Sequence, residues 1–350
     1  MKRSFVRICV GVVGVAAVTL GARLAADSPH EDFGKFVADH LRSHSEQLFG
    51  FHHPLDDSAL GPFDGPSVDA LELAGGLKAT LISSAVENAA DQIAMWPDDV
   101  HPTHLFVCDE ETSVPAVQRV DLSKPANANA TTIVTGLNAC DPVRRTPWGT
   151  IIVAEEAGDT GGFYEILDPL SINAPINVSN RDLGTTSDPM HLVKRKAVGS
   201  LSFESFAIKP DGTMIYGDEL APSGGNAGGG IYKFVPAVPF TGGPNVTIPA
   251  QSPLASGTIF GLRVAASGSS NWGQGAETGK GTWTLVNQNG LNVINATGNI
   301  ILRNAQLLQR FTGFYRPEDM DIDPIAEEKG RVPSVLGQHR PHEPRRRKRG

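Results

Sequence analysis

Residues 138–156 read NACDPVRRTPWGTIIVAEE, and this stretch decides the fold. Thr146-Pro147-Trp148-Gly149-Thr150 is a stiff turn. Pro147 fixes its own φ and pushes Thr146 towards an extended backbone, while Gly149 supplies conformational freedom. The turn feeds a short apolar strand, Ile151–Ala154, that ends on two adjacent carboxylates, Glu155 and Glu156. Cys140 stands just ahead of the turn. A thiol and two carboxylates bracketing a rigid turn and a buried strand point to a metal site.

The same rhythm spreads outward. His104–Val107 runs into Cys108-Asp109-Glu110, Val117–Leu122 follows, and Gly162–Leu167 comes after the opening stretch. Phe206–Ile208 leads through Lys209-Pro210-Asp211-Gly212 to Thr213–Tyr216, which closes on Gly217-Asp218-Glu219. Ile231–Val235, Gly257–Val264 and Gly281–Val286 read as further strands. Short strands joined by Pro, Asp and Gly turns predict an all-β fold. The recurring order of strand, turn, strand, acidic tip favours a β-propeller over a sandwich. Gly224–Gly230 lacks the Lys-Ser/Thr and the helix of a phosphate-binding loop and reads as a flexible hairpin connection. Trp272 and Trp283 read as packing residues.

The chain has 350 residues, 40% of them apolar, with 38 Gly, 25 Pro and few aromatics, a balance suited to many strands. The net charge of −8 argues against a nucleic-acid partner, because a phosphate backbone needs a basic surface. An acidic protein can act on phosphate esters only if bound cations supply the positive charge. Met1–Ala26 has a basic start, an apolar run too short for a stable membrane span, and small residues at its end, the layout of a signal peptide. Lys2-Arg3-Ser4-Phe5-Val6-Arg7 is similar to a twin-arginine export signal. Export places the mature chain in the periplasm or outside a bacterial cell. It would also permit a disulfide between Cys108 and Cys140, although the carboxylates beside each suggest metal binding instead.

Residues 27–100 form an N-terminal region leading into the propeller, with an amphipathic helix expected over Phe33–Leu48. His40, His44, His52 and His53 lack the Glu of a zinc-protease helix and read as solvated surface. Residues 101–330 carry the propeller pattern. Arg331–Gly350 is basic and Pro-rich, and reads as a disordered or frame-shifted tail; a genuine basic tail for anionic surfaces is the alternative. With the slip, the propeller is expected to be incomplete. An open reading frame downstream that resumes the strand-and-glycine pattern would mark it.

From Thr103 to Pro324 the chain resembles the PhoX family of secreted bacterial alkaline phosphatases, on a cysteine, T-P-W-G-T, a strand and a Glu-Glu pair. That resemblance implies a propeller whose channel holds Fe3+ and Ca2+. It implies Cys140 as the iron thiolate and Glu155 or Glu156 as the ligand after the turn. Glu204 matches the glutamate of the family's His-Glu step, although Phe203 replaces the His, and Glu318 matches its Arg-Pro-Glu step. Asp109-Glu110 and Asp218-Glu219 join them as acidic tips. The implied activity is phosphomonoester hydrolysis, with Arg144 or Arg145 gripping a phosphate oxygen. Turnover by this chain alone is expected to be weak or absent. The alternative is a non-catalytic, calcium-binding secreted propeller that serves as a binding module.

Overall fold

A computed structural model describes residues 43–44, 47, 79–110, 116–224, 226–264 and 281–322, and the backbone of 334–338. The expected leader, the Phe33–Leu48 helix apart from Ser43, His44 and Gln47, Trp272, and most of the Arg331–Gly350 tail lie outside these residues. The chain divides into the units Met1–Leu81 and Ile82–Gly350, and every strand among the described residues belongs to the second. Among the described residues no helix is long and apolar enough to cross a membrane.

Among its described residues the second unit is all-β apart from one helix and short single turns of 3-10 helix. The first sheet is built from β1 (Ala90–Trp96), β2 (His104–Asp109), β3 (Val117–Asp121) and β4 (Ala130–Thr135), paired antiparallel in sequence order. The second is built from β5 (Cys140–Arg145), β6 (Ile151–Glu155) and β7 (Phe163–Ile166). Between β7 and its last strand, the chain lends β8 (Ile176–Asn180) and β9 (Thr185–Thr186) to the edge of the first sheet. It then returns as β10 (Leu192–Lys194) to pair with β7. The third sheet runs through β11 (Phe203–Ile208), β12 (Met214–Asp218), β13 (Ile231–Pro236), β14 (Gly257–Val264) and β15 (Gly281–Leu285). Helix α1 (Leu302–Gln309) follows, and β16 (Pro317–Ile322) pairs with β17 (Ser334–Gln338). Part of the tail expected to be disordered is therefore a strand. The sheets meet through their first strands: β1 lies against β5, β5 against β11, and β11 against β16.

The apolar run Ile151–Ala154 is continuous because β6 is buried on both faces. Ile151 and Val153 join the core shared with the first sheet, around Trp96, Phe106 and Ile133. Ile152 and Ala154 alternate onto the other face, in the core shared with the third sheet. That second core carries a chain of rings from Phe163 through Phe203, Tyr216 and Tyr232 to Phe311, with neighbouring centroids 5.6–6.2 Å apart. Such contacts add to the burial of each ring. Leu302 and Ala305 seat α1 on the same core, and Tyr232 Oη donates to the Leu302 carbonyl at 2.9 Å.

The T-P-W-G-T stretch is the β5–β6 hairpin turn. Gly149 N–H donates to Thr146 O at 3.2 Å, and Gly149 takes φ +74°, the left-handed geometry that glycine permits. Trp148 is fully buried. Its Nε1 and the Thr150 hydroxyl each donate at 2.7 Å to the buried carboxylate of Glu165, which also receives Arg195 Nε at 2.6 Å and the Ser252 hydroxyl at 2.7 Å. The motif is thus locked by a hydrogen-bonded carboxylate on β7.

Candidate metal centre

Each first strand carries a β-bulge at the same place. Register shifts fall between Ala90 and Ile93, Cys140 and Val143, Phe203 and Phe206, and Pro317 and Met320. The residue that opens each bulge is acidic: Asp91, Asp141, Glu204 and Glu318. A bulge re-aims a side chain by adding a residue to one strand only. In three of the sheets the second strand brings a matching pair, because Asp109 pairs with Ala90, Glu155 with Cys140 and Asp218 with Phe203. Glu110, Glu156 and Glu219 come next in the chain. Gln338, opposite Pro317, stands where the other sheets have a carboxylate.

Alternation divides each acidic pair between two jobs. The first member is buried in all three pairs, and Glu155 and Asp218 are structural acceptors. Glu155 is fully buried and accepts from the backbone N–H of Asn138 (2.7 Å) and of Gly162 (2.8 Å) and from Arg181 Nε (2.5 Å). Asp218, also fully buried, accepts from Ser202 N–H at 3.2 Å and from two nitrogens of Arg303, each at 2.8 Å. Burial pushes its carboxyl up, and the Arg303 pair opposes that shift. The second member is half-buried, and Glu110 and Glu156 lie beside the bulge acids.

Two groups of three carboxylates result: Asp91, Glu110 and Asp141, and Asp141, Glu156 and Glu204. Within each group one oxygen per residue lies within 4.8 Å of the others. Asp141 belongs to both and is fully buried. Its Oδ1 takes a long contact of 3.5 Å from Gln92 Nε2, and its buried Oδ2 receives no hydrogen bond. Gln92 Oε1 beside it is likewise buried without a donor, while Gln92 Nε2 also donates to the Glu204 carbonyl. Burial first, then a proton shared with Glu204 and repulsion from Glu204, Asp91 and Glu110, push the Asp141 carboxyl up to about 10. Glu156, Asp91 and Glu110 are raised as well, each by burial first and then by neighbouring carboxylates. Uncompensated carboxylates at this spacing must hold protons or cations.

Glu155, Asp218, Glu219 and Glu318 have arginine partners. Arg316 pairs with Glu219 and, at 3.0 Å, with Glu318. Arg303 holds Asp218, and both arginines oppose the rise at Glu156. Among the described residues, none of Asp91, Glu110, Asp141, Glu156 and Glu204 forms an ion pair with Lys, Arg or His.

The expected site residues are therefore separated by the fold. Glu156 and Glu204 meet in one cluster. Glu155 and Asp218 are structural acceptors, while Glu219 and Glu318 are paired with Arg316. Cys140 is bonded to Cys108, across a Cα–Cα distance of 5.2 Å, so its sulfur is a disulfide sulfur and not the thiolate implied for iron. Arg144 and Arg145 lie beyond Asp141 towards the other end of β5. Arg144 Nη2 donates to the Ser205 hydroxyl at 3.2 Å, and Arg145 Nη1 donates to Met95 O at 2.7 Å and Asp99 at 2.9 Å. Asp91 and Asp141 were absent from the expected set. The signal for Asp141 is a repeat: Asp141, Pro147, Gly149 and Glu155 recur 63 residues on as Glu204, Pro210, Gly212 and Asp218.

The Gly224–Gly230 loop joins the antiparallel β12 and β13, the hairpin connection expected. A Cβ on Gly229 would lie 1.7 Å from the Asp218 carbonyl oxygen, and one on Gly161 would lie 1.9 Å from that of Leu201. Gly229 thus permits close backbone approach behind an acidic tip rather than flexibility.

No family model matches the sequence, and the comparison with curated proteins gives no match. Among solved structures the chain is similar to Pseudomonas fluorescens PhoX in complex with vanadate, a transition state analogue. The two share 15% identity at a TM-score of 0.44, and the match covers 68% of this chain. This chain spans 57% of the length of that protein, a member of the family its Asn138–Glu156 stretch resembles.

Proposed function

We propose that the carboxylate cluster holds two cations, Ca2+ foremost, one at each group of three with Asp141 common to both, in an exported phosphomonoester hydrolase. The observation that carries this reading is the buried Asp141 Oδ2, without a donor, between two groups of unpaired carboxylates. An all-oxygen donor set suits a hard cation, with water completing the coordination of Ca2+. It fits Fe3+ less closely in the form the resemblance implies, because Cys140 offers no thiolate while bonded to Cys108. Bound cations would supply Lewis-acid stabilisation of phosphate oxygens and a more acidic water. Arg316, 36% exposed on the rim of the cluster, would meet an incoming phosphate. Arg144 and Arg145 are tied elsewhere and take no part in this reading. We read the four sheets as successive blades of a propeller over residues 101–330, with their first strands lining its axis and residues 1–26 as an export leader.

The missing thiolate favours a second reading, a calcium-stabilised propeller that binds without catalysis. Metal analysis of the purified chain, coupled to p-nitrophenyl phosphate turnover, separates the two. The hydrolase reading expects two Ca2+ per chain and turnover, even if weak, that chelation and Asp141→Asn both abolish. Bound Ca2+ with no turnover supports the binding module, and a protein that retains no cation sinks both.

A further inference from the structure

Away from the acidic cluster, a cavity of about 360 Å3 opens between β1, β5 and β16. Its walls combine Ile93 and Met95, 51% and 42% exposed, with Arg144, Arg145, Asp99 and Asp321. The two arginines are not equivalent. Arg145 is neutralised by Asp99 at 2.9 Å. Arg144 is half-buried and, among the described residues, bonds neutral oxygens, the Ser205 hydroxyl and the Val143 carbonyl. A half-buried guanidinium beside exposed apolar side chains is matched by a ligand that supplies both a negative head and an apolar body.

We infer that this cavity binds a small amphipathic monocarboxylate, its carboxylate on Arg144 and its alkyl chain over Ile93 and Met95. Two aspartates and two arginines leave the wall with no net charge, so a single negative charge is tolerated where a phosphate dianion meets repulsion from Asp99 and Asp321. A planar carboxylate also matches the guanidinium fork. The volume lies at the small end of ligand pockets, which limits the ligand to a short chain. None of these residues belongs to the acidic cluster, so the inference stands apart from the proposed hydrolase.

Isothermal titration of the full chain with octanoate, and separately with inorganic phosphate, tests it. Octanoate is expected to bind one per chain and phosphate not to compete. Arg144→Gln should weaken octanoate at least tenfold. Ile93→Asp, at an exposed strand position that tolerates a polar residue, should weaken it similarly. An unchanged melting temperature in either variant shows that the loss is local. No octanoate binding, binding by either variant as tight as by the unaltered chain, or displacement of octanoate by phosphate would each overturn the inference.

Discussion

Asp141 concentrates the chemistry of this molecule in one side chain. Its folded pKa of about 10 lies far above the ordinary carboxylate value, so the folded state holds a proton that the unfolded chain releases. The sign follows from linkage. This stabilising contribution is fully present below about pH 4 and is lost as pH rises towards 10. Glu156, Asp91 and Glu110 are shifted in the same direction. The melting temperature of chelated protein should therefore fall steadily between pH 5 and pH 9. Added Ca2+ should flatten that fall, because the ion binds the deprotonated carboxylates. Asp141→Asn should stabilise the chelated protein at pH 8 by about 1–3 kcal/mol and erase the calcium-dependent shift. Differential scanning calorimetry across pH measures both effects, and a chelated melting temperature that rises with pH would refute the assignment.

At the scale of elements, the β5–β6 hairpin shows why a motif can be legible while its role is not. Pro147 and Gly149 identify the turn from sequence, and the structure closes it as expected. What stabilises it is Glu165, a residue on β7 that receives the Trp148 indole, the Thr150 and Ser252 hydroxyls and Arg195. Removing this acceptor leaves a buried guanidinium and three buried donors without it. Glu165→Ala should cost about 3–5 kcal/mol in urea unfolding, with Glu165→Gln costing less because it retains one acceptor oxygen. A loss under about 1 kcal/mol would show that water replaces the carboxylate. The bulges make the complementary point. They turn Asp91, Asp141, Glu204 and Glu318 towards a common region, yet nothing in an isolated strand reveals an inserted residue.

Across the whole molecule, the disulfide joins the first sheet to the second. Cys108 is the last residue but one of β2 and Cys140 opens β5, at a sequence separation of 32. Cross-linking over that separation should stabilise the fold by about 3–4 kcal/mol through the unfolded chain. The Cys108→Ser, Cys140→Ser double variant should unfold at correspondingly lower urea, and non-reducing peptide mapping should recover the 108–140 pair. A free thiol at Cys140 in the native protein would restore the iron-ligand expectation. The bond also suits the exported chain that Met1–Ala26 suggests.

The sequence by itself determined the class of fold and the chemistry on offer. Short apolar runs, the Pro-x-Gly-Thr turns and the acidic pairs that end three of those runs are local signals, and local backbone preference suffices to read them. It could not say which acid of each pair binds and which one holds the backbone. That choice follows from strand alternation and from partners far along the chain, such as Arg181 for Glu155 and Arg303 for Asp218. Nor could it choose between thiolate and disulfide at Cys140, because the distance to Cys108 exists only after two sheets have packed. Asp141, inconspicuous in the link before the turn, became the centre of the site only when β1, β5 and β11 were brought together.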